Sequence, residues 1–233
     1  MSQLDAVHQR GDLTPPPRQV TSRYRDPLEV IWLACAARLG WRVIRSGEVF
    51  ASWDGERTLT LGRDADLDDD DHCAQMVLHE ICHALIEGPL GWRSVDWGLS
   101  NFNAQDLDRE LGCLRLQAYW ASSVQLRGFL AATTDWRAYY DLIPIDPRRS
   151  LNTSELMSLC ETWGLDLESA RGLDERATAL AQVGLRRASE LDWTPHLQCA
   201  LEGTATLAQI IAPHIHQLDV SEASEARDLW SVD

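Results

Sequence analysis

Two histidines four residues apart, His79 and His83, enclose a glutamate beside the first in the run His79-Glu80-Ile81-Cys82-His83. On a helix, positions i and i+4 lie one above the other, about 6 Å apart along the axis, so both imidazoles can close on one metal ion. Glu80 then points beside that ion, where a carboxylate can take a proton from a bound water or a reacting group. The plain alternative is a pair of partly buried histidines on a core helix. Context favours the metal: the motif lies inside residues 70–87, a helix-like run with aspartates at its start and Gly88-Pro89 just past its end.

Two histidines leave a metal open, so a third protein ligand must come from another segment. Glu87 continues the histidine stripe, but it lies about 12 Å up the axis from His79, beyond the reach of a shared ion. Glu110 fits best. It follows His83 after 26 intervening residues, in Asp108-Arg109-Glu110-Leu111-Gly112, early on a second helical run, and an antiparallel return would bring that helix beside the first. The apolar stripe Leu111, Leu114 and Ala118 lets the helix pack while the carboxylate faces the metal. Asp106 and Asp108 are rivals, although they more naturally charge that helix start, and Glu110 read alone is also an ordinary first-turn glutamate. Asp96, in the loop Ser94-Val95-Asp96-Trp97-Gly98, could accept the distal N–H of a ligating histidine; bracing the loop is the competing role.

The elements that must position these groups follow from pattern. Residues 1–26 are polar, contain Pro15-Pro16-Pro17 and read as a flexible N-terminal arm. A helix is expected from Pro27 to Leu39, ended by Gly40. Strands follow over residues 41–45, 49–53 and 57–61, with Asp54-Gly55 as a hairpin turn between the last two. Residues 63–71 form a loop whose Asp64-x-Asp66-x-Asp68 begins like a calcium loop but has Asp69 and Gln75 where Gly and Glu are needed. The second long helix is expected over residues 105–126, and helices broken by short turns from Thr153 to about Leu218. Residues 219–233 read as an acidic tail. Residues 27–218 are thus one catalytic domain of α+β class, a small antiparallel sheet packed on the HExxH helix and followed by a helical C-terminal part, in a zincin-like arrangement.

Composition narrows the chemistry. The net charge of −15 argues against nucleic acid as a direct partner and is compatible with a cationic substrate, though acidity also serves solubility. All 21 basic residues are arginine, which removes lysine Schiff bases, pyridoxal phosphate anchoring and a Walker A loop. No apolar run approaches the ~18–20 residues of a membrane span, and residues 1–19 show no basic-then-apolar signal pattern, so a cytoplasmic protein without a membrane partner is expected. The six cysteines show no CxxC pairing and fall mostly on apolar faces as reduced thiols. His72, two turns before His79, and His214-x-His216 are weaker candidates.

The run HEICHALIEG, with Asp96-Trp97-Gly98 beginning thirteen residues beyond His83, resembles the bacterial elongation factor P hydroxylases, whose segment runs HEI-x-H-x-x-I-x-G and then D-x-G at the same spacing. Glu110 followed by Gln117-Ala118 is similar to their later glutamate with its Gln-Ala pair. Weaker similarity covers Leu28–Cys35, residues 41–45 and Gly172-Leu173-Asp174-Glu175-Arg176, so that the resemblance spans about residues 28–190. It implies a zincin-like fold carrying out oxidative chemistry on a modified lysine of a translation factor. His79, His83 and Glu110 would be ligands of one divalent metal, Fe(II) in first place and zinc as the alternative. The spacer between Gly98 and Glu110 is a few residues shorter here, and Leu99-Ser100-Asn101 replaces the family's aromatic cluster. The competing function is a gluzincin-type zinc metallopeptidase with Glu80 as general base.

Overall fold

The computed structural model describes residues 24–100, 106–133 and 136–213. The expected N-terminal arm up to residue 23, the His214-x-His216 pair and the acidic tail lie outside the described residues.

Helix α1 (Pro27–Arg38) starts where Asp26 accepts the N–H groups of Leu28 and Glu29, with Pro27 in the first turn where no N–H is needed. Three strands follow, β1 (Arg42–Ser46), β2 (Ala51–Trp53) and β3 (Thr58–Gly62). The expected hairpin forms between β2 and β3: Asp54 Oδ1 accepts the N–H groups of Glu56, Arg57 and Thr58, and Gly55 takes a positive φ. The sheet, however, is mixed rather than antiparallel. Its order is β1-β3-β2, with β1 parallel to β3 and β2 antiparallel to it. Alternation of apolar residues fixes which face of a strand is buried and says nothing of its direction. What fastens β1 beside β3 is Arg45, which donates both to the Gly62 carbonyl and to Glu29 of α1.

Helix α2 (Cys73–Gly91) carries the HExxH motif. His72 caps its first turn, and regular helix ends at Gly88, whose φ of 68° and ψ of −163° are open essentially to glycine alone. There Arg187 reaches in from a later helix and donates to the carbonyls of Leu85 and Ile86. Helices α3 (Leu107–Ser122), α4 (Arg137–Leu142), α5 (Thr153–Trp163), α6 (Leu167–Glu190) and α7 (Thr194–Ile211) complete the chain. Helix α4 was not expected; its six residues, followed by Pro144 and Pro147, are too few for periodicity to register.

Helix α3 divides two apolar cores. Its Cys113, Leu116, Trp120 and Ala121 join a core with α1, the sheet, α2 and α7. Its Leu111, Leu114 and Ala118 join another with α4, α5 and the first half of α6. Wrapped on both sides, even Arg115 is fully buried, donating to Tyr139, to the carbonyls of Pro147 and Arg149 and to Asp174. Gly112 lets α3 approach α6 closely: a Cβ there would stand 2.8 Å from Leu180 Cβ. This double clamp fixes α3, and with it Glu110, against α2.

Candidate metal centre

The antiparallel return of α3 along α2 brings matching turns together. His79 meets Cys113 and Gln117, His83 meets Glu110, and Glu87 meets Arg109. His79 Nε2 and His83 Nε2 face each other at 3.0 Å, with the rings nearly perpendicular. Glu110 closes the triangle, one oxygen 3.3 Å from each Nε2. Ligand atoms bound at ~2.0–2.2 Å to a common ion, with angles between a right angle and a tetrahedral one, are themselves roughly 3.0–3.5 Å apart. The three donors have that spacing.

Their hydrogen bonding fits the same purpose. Glu110 Oε1 is buried and, although 3.3 Å from His79 Nε2, has no hydrogen bond of proper orientation. Burial opposes charge on His79, but the neighbouring Glu110 outweighs it and raises the imidazole to about 10. Burial likewise works against a charged Glu110, yet the two histidines hold its carboxyl far below the usual range. The triad is thus an electrostatically favourable place for a positive charge.

The His79 tautomer is set from behind. Gln117 is fully buried and donates its amide N–H to the Leu130 carbonyl at 2.8 Å, so its Oε1 faces His79 Nδ1 at 3.0 Å and must accept. Nδ1 thus keeps its hydrogen, and it is Nε2 whose proton a metal would replace, its lone pair then facing the shared point. Sequence reasoning met Gln117 only through the family resemblance. The signal available was a polar residue on the buried stripe of α3, seven positions after Glu110 and on its face.

A second donor set exists. Ligand atoms of His79, His83 and Cys113 lie within 4.8 Å of one another. Yet Cys113 Sγ approaches His79 on the Nδ1 side, at 3.6 Å, and is hydrogen-bonded to the His79 carbonyl at 3.3 Å. Nδ1 is committed to Gln117, and burial pushes the Cys113 thiol well up, away from the thiolate a metal needs. The Glu110 set, meeting both histidines at Nε2, is the better ligand cage.

Of the rivals to Glu110, Asp106 accepts the N–H of Ser100 and lies near Arg109, while Asp108 pairs with Arg176. Asp96 is not bound to a histidine. Its Oδ1 accepts Ser52 Oγ–H at 2.8 Å and the Trp53 N–H at 3.0 Å, tying the turn Val95–Gly98 to β2. Asp96, Trp97 and Gly98 all have positive φ, and that run of left-handed residues is what turns Trp97 inward. Trp97 Nε1 donates to Glu80 Oε2 at 2.8 Å, a partner that sequence reasoning missed. Trp97 also stacks on Trp53, ring centres 4.5 Å apart. His72 keeps a structural place, stacked on Phe129 and capping α2.

Above the triad opens a cavity of about 270 Å³, walled by Phe50, Ser52, Glu80, Asp96 and Trp136. None of its described lining residues is a tyrosine, an arginine or a third histidine. Comparison of the chain with known protein families, with characterised proteins and with solved structures finds no match. Chemistry must be argued from the site. No helix among the described residues is long and apolar enough to cross a membrane.

Proposed function

We propose that the chain is a metal-dependent hydroxylase of zincin-like fold, acting on a lysine-derived side chain of a protein substrate. The observation that carries this reading is the convergence of His79 Nε2, His83 Nε2 and the Glu110 carboxylate on one point beneath a cavity. Two histidines and one carboxylate suit divalent iron and leave coordination positions free. Iron held there would supply the redox chemistry by which dioxygen inserts one oxygen atom into a C–H bond. The other atom leaves as water, with two electrons and two protons from an external reductant. The chain's own residues do the rest: Gln117 fixes His79, Trp97 fixes Glu80 beside the site, and Phe50 and Trp136 give the open cavity apolar walls. The net charge of −15 is compatible with a cationic lysine-derived side chain as substrate, and the family resemblance suggests elongation factor P or a similar lysine-modified protein as its carrier.

The gluzincin-type peptidase reading shares these ligands and would use Glu80 as general base. It is second because a tetrahedral oxyanion needs a positioned donor, and the described lining provides neither Tyr, Arg nor a further His. Glu80 is moreover held by Trp97.

The test is metal loading under anaerobic conditions, followed by oxygen uptake with a lysine-modified translation factor. One iron per chain, lost in Glu110→Ala and kept in Cys113→Ser, with substrate-dependent oxygen uptake, is the expected result. Zinc retention with peptide cleavage abolished by Glu80→Gln would install the peptidase instead. A thiolate-to-cobalt charge-transfer band in the cobalt-loaded protein, lost in Cys113→Ser, would overturn the ligand assignment.

A further inference from the structure

The two histidine ligands are supported unequally. His79 Nδ1 has Gln117 behind it, whereas His83 Nδ1 is buried and makes no hydrogen bond among the described residues. One helical turn further along α2, Glu87 Oε1 is also buried and has no hydrogen bond among the described residues. One is a nitrogen that must carry a hydrogen if His83 Nε2 is to bind a metal; the other is an acceptor. Leaving either unsatisfied forfeits its lost hydration, so a native structure rarely keeps two complementary orphans on one helix face. We propose that Glu87 is a positioning residue for His83, accepting its Nδ1–H directly or through one bridging water and so presenting Nε2 to the metal. This rests on the metal centre proposed above.

The surroundings are arranged to hold Glu87 in that place. Its side chain is 5% exposed, and its other oxygen lies 3.4 Å from Arg109 NH1 on α3. Arg109 immediately precedes Glu110, so one turn of α3 supplies both the third ligand and the anchor of the supporting carboxylate. Gly91 leaves room for it: a Cβ there would stand 2.4 Å from Glu87 Cβ. Burial raises the Glu87 carboxyl, while Arg109 and then His83 act to lower it, which places His83 within electrostatic reach. Positions i and i+4 are about 6 Å apart along the axis, a distance that a glutamate side chain spans. The same geometry that bars Glu87 from the metal suits it to the far nitrogen of the ligand.

The experiment is titration of the full chain with Co²⁺ and Zn²⁺ by chelator competition, comparing wild type, Glu87→Gln, Glu87→Ala and Gly91→Ala. Circular dichroism first confirms that each variant is folded. Glu87→Ala should weaken binding ~10–100-fold and change the ligand-field spectrum of bound Co²⁺, the loss expected when a ligand's outer partner is removed. Glu87→Gln, whose amide oxygen still accepts, should stay within about threefold of wild type. Gly91→Ala, which displaces Glu87 without touching its charge, should follow Glu87→Ala. In the zinc-loaded protein labelled with ¹⁵N-histidine, a slowly exchanging His83 Nδ1–H resonance should be present in wild type and lost in Glu87→Ala. Wild-type binding that needs His79, His83 and Glu110 but is indifferent to Glu87, in affinity and in that resonance, overturns this inference alone. Wild type that binds no metal, or binds equally after Glu110→Ala, overturns the metal centre itself.

Discussion

Removing the oxygen of Gln117 tests whether this centre is built to bind a metal or is a charged core cluster. In Gln117→Leu the side chain keeps its bulk, but His79 Nδ1 loses its acceptor and the Leu130 carbonyl loses its donor. Gln117 is fully buried, so no bulk water replaces either contact. Loss of such an outer partner typically weakens metal binding ~10–100-fold, or about 1.4–2.7 kcal/mol. The orphaned Leu130 carbonyl separately costs about 1–3 kcal/mol of folding stability, some ~2–12 °C in melting temperature for a chain of this size. Gln117→Glu separates the two effects. Its carboxylate still accepts from His79 and makes the ligand more basic, yet it cannot donate to Leu130. Metal affinity should hold or rise while the metal-free protein melts lower. Chelator competition and thermal melting on the same samples read both quantities. If Gln117→Leu binds Zn²⁺ within about twofold of wild type in a folded protein, His79 is not oriented for a metal and the reasoning fails.

Three further outcomes follow from the fold. Asp174→Ala strands Arg115 in the core and removes the acceptor of the Leu151 N–H, so urea unfolding should show a loss of about 3–5 kcal/mol. Replacing Arg115 and Asp174 together by Met and Leu should cost much less. His72 accepts the Gln75 N–H at Nδ1 and meets the Phe129 carbonyl at Nε2, so both nitrogens are satisfied only in the neutral ring. Burial, opposed by Phe129 and the nearby aspartates, depresses its folded pKa below the ordinary 6.5. The unfolded chain then binds more protons below that pH, and stability should fall as the solution is acidified through it. His72→Asn, which keeps a capping oxygen, should flatten that part of the pH–stability curve relative to wild type. Gly88→Ala places a Cβ 2.6 Å from the Arg187 guanidinium in a backbone region closed to alanine. It should cost about 1–3 kcal/mol in a denaturant midpoint assay.

The site was more legible in sequence than the scaffold was. HExxH at helical spacing with a glycine-proline stop located α2, and the return of a second amphipathic run placed Glu110 against it. Those are local signals. The roles of Gln117, Cys113 and Trp97 escaped because a polar or aromatic residue on a packed face looks like any core residue until its neighbour is known. Asp96 was given a choice between a ligand and a loop, and the decision lay in β2, whose Ser52 and the Trp53 N–H claim its oxygen. The parallel pairing of β1 with β3 likewise depends on Arg45 reaching two other elements, which a strand's own alternation does not encode. Asp174 stood in a segment noted only for family similarity, and its work there is to neutralise Arg115 in the core.

The stacked indoles of Trp53 and Trp97 make the molecule its own spectroscope. Two nearly parallel chromophores 4.5 Å apart couple excitonically, giving a paired signal in circular dichroism that isolated tryptophans lack. One of the pair is hydrogen-bonded to Glu80, so a shift of that carboxylate when the centre is loaded would register as a change in the couplet. Local loosening of the turn that carries Trp97 can be followed in the same way in unlabelled protein, by light alone.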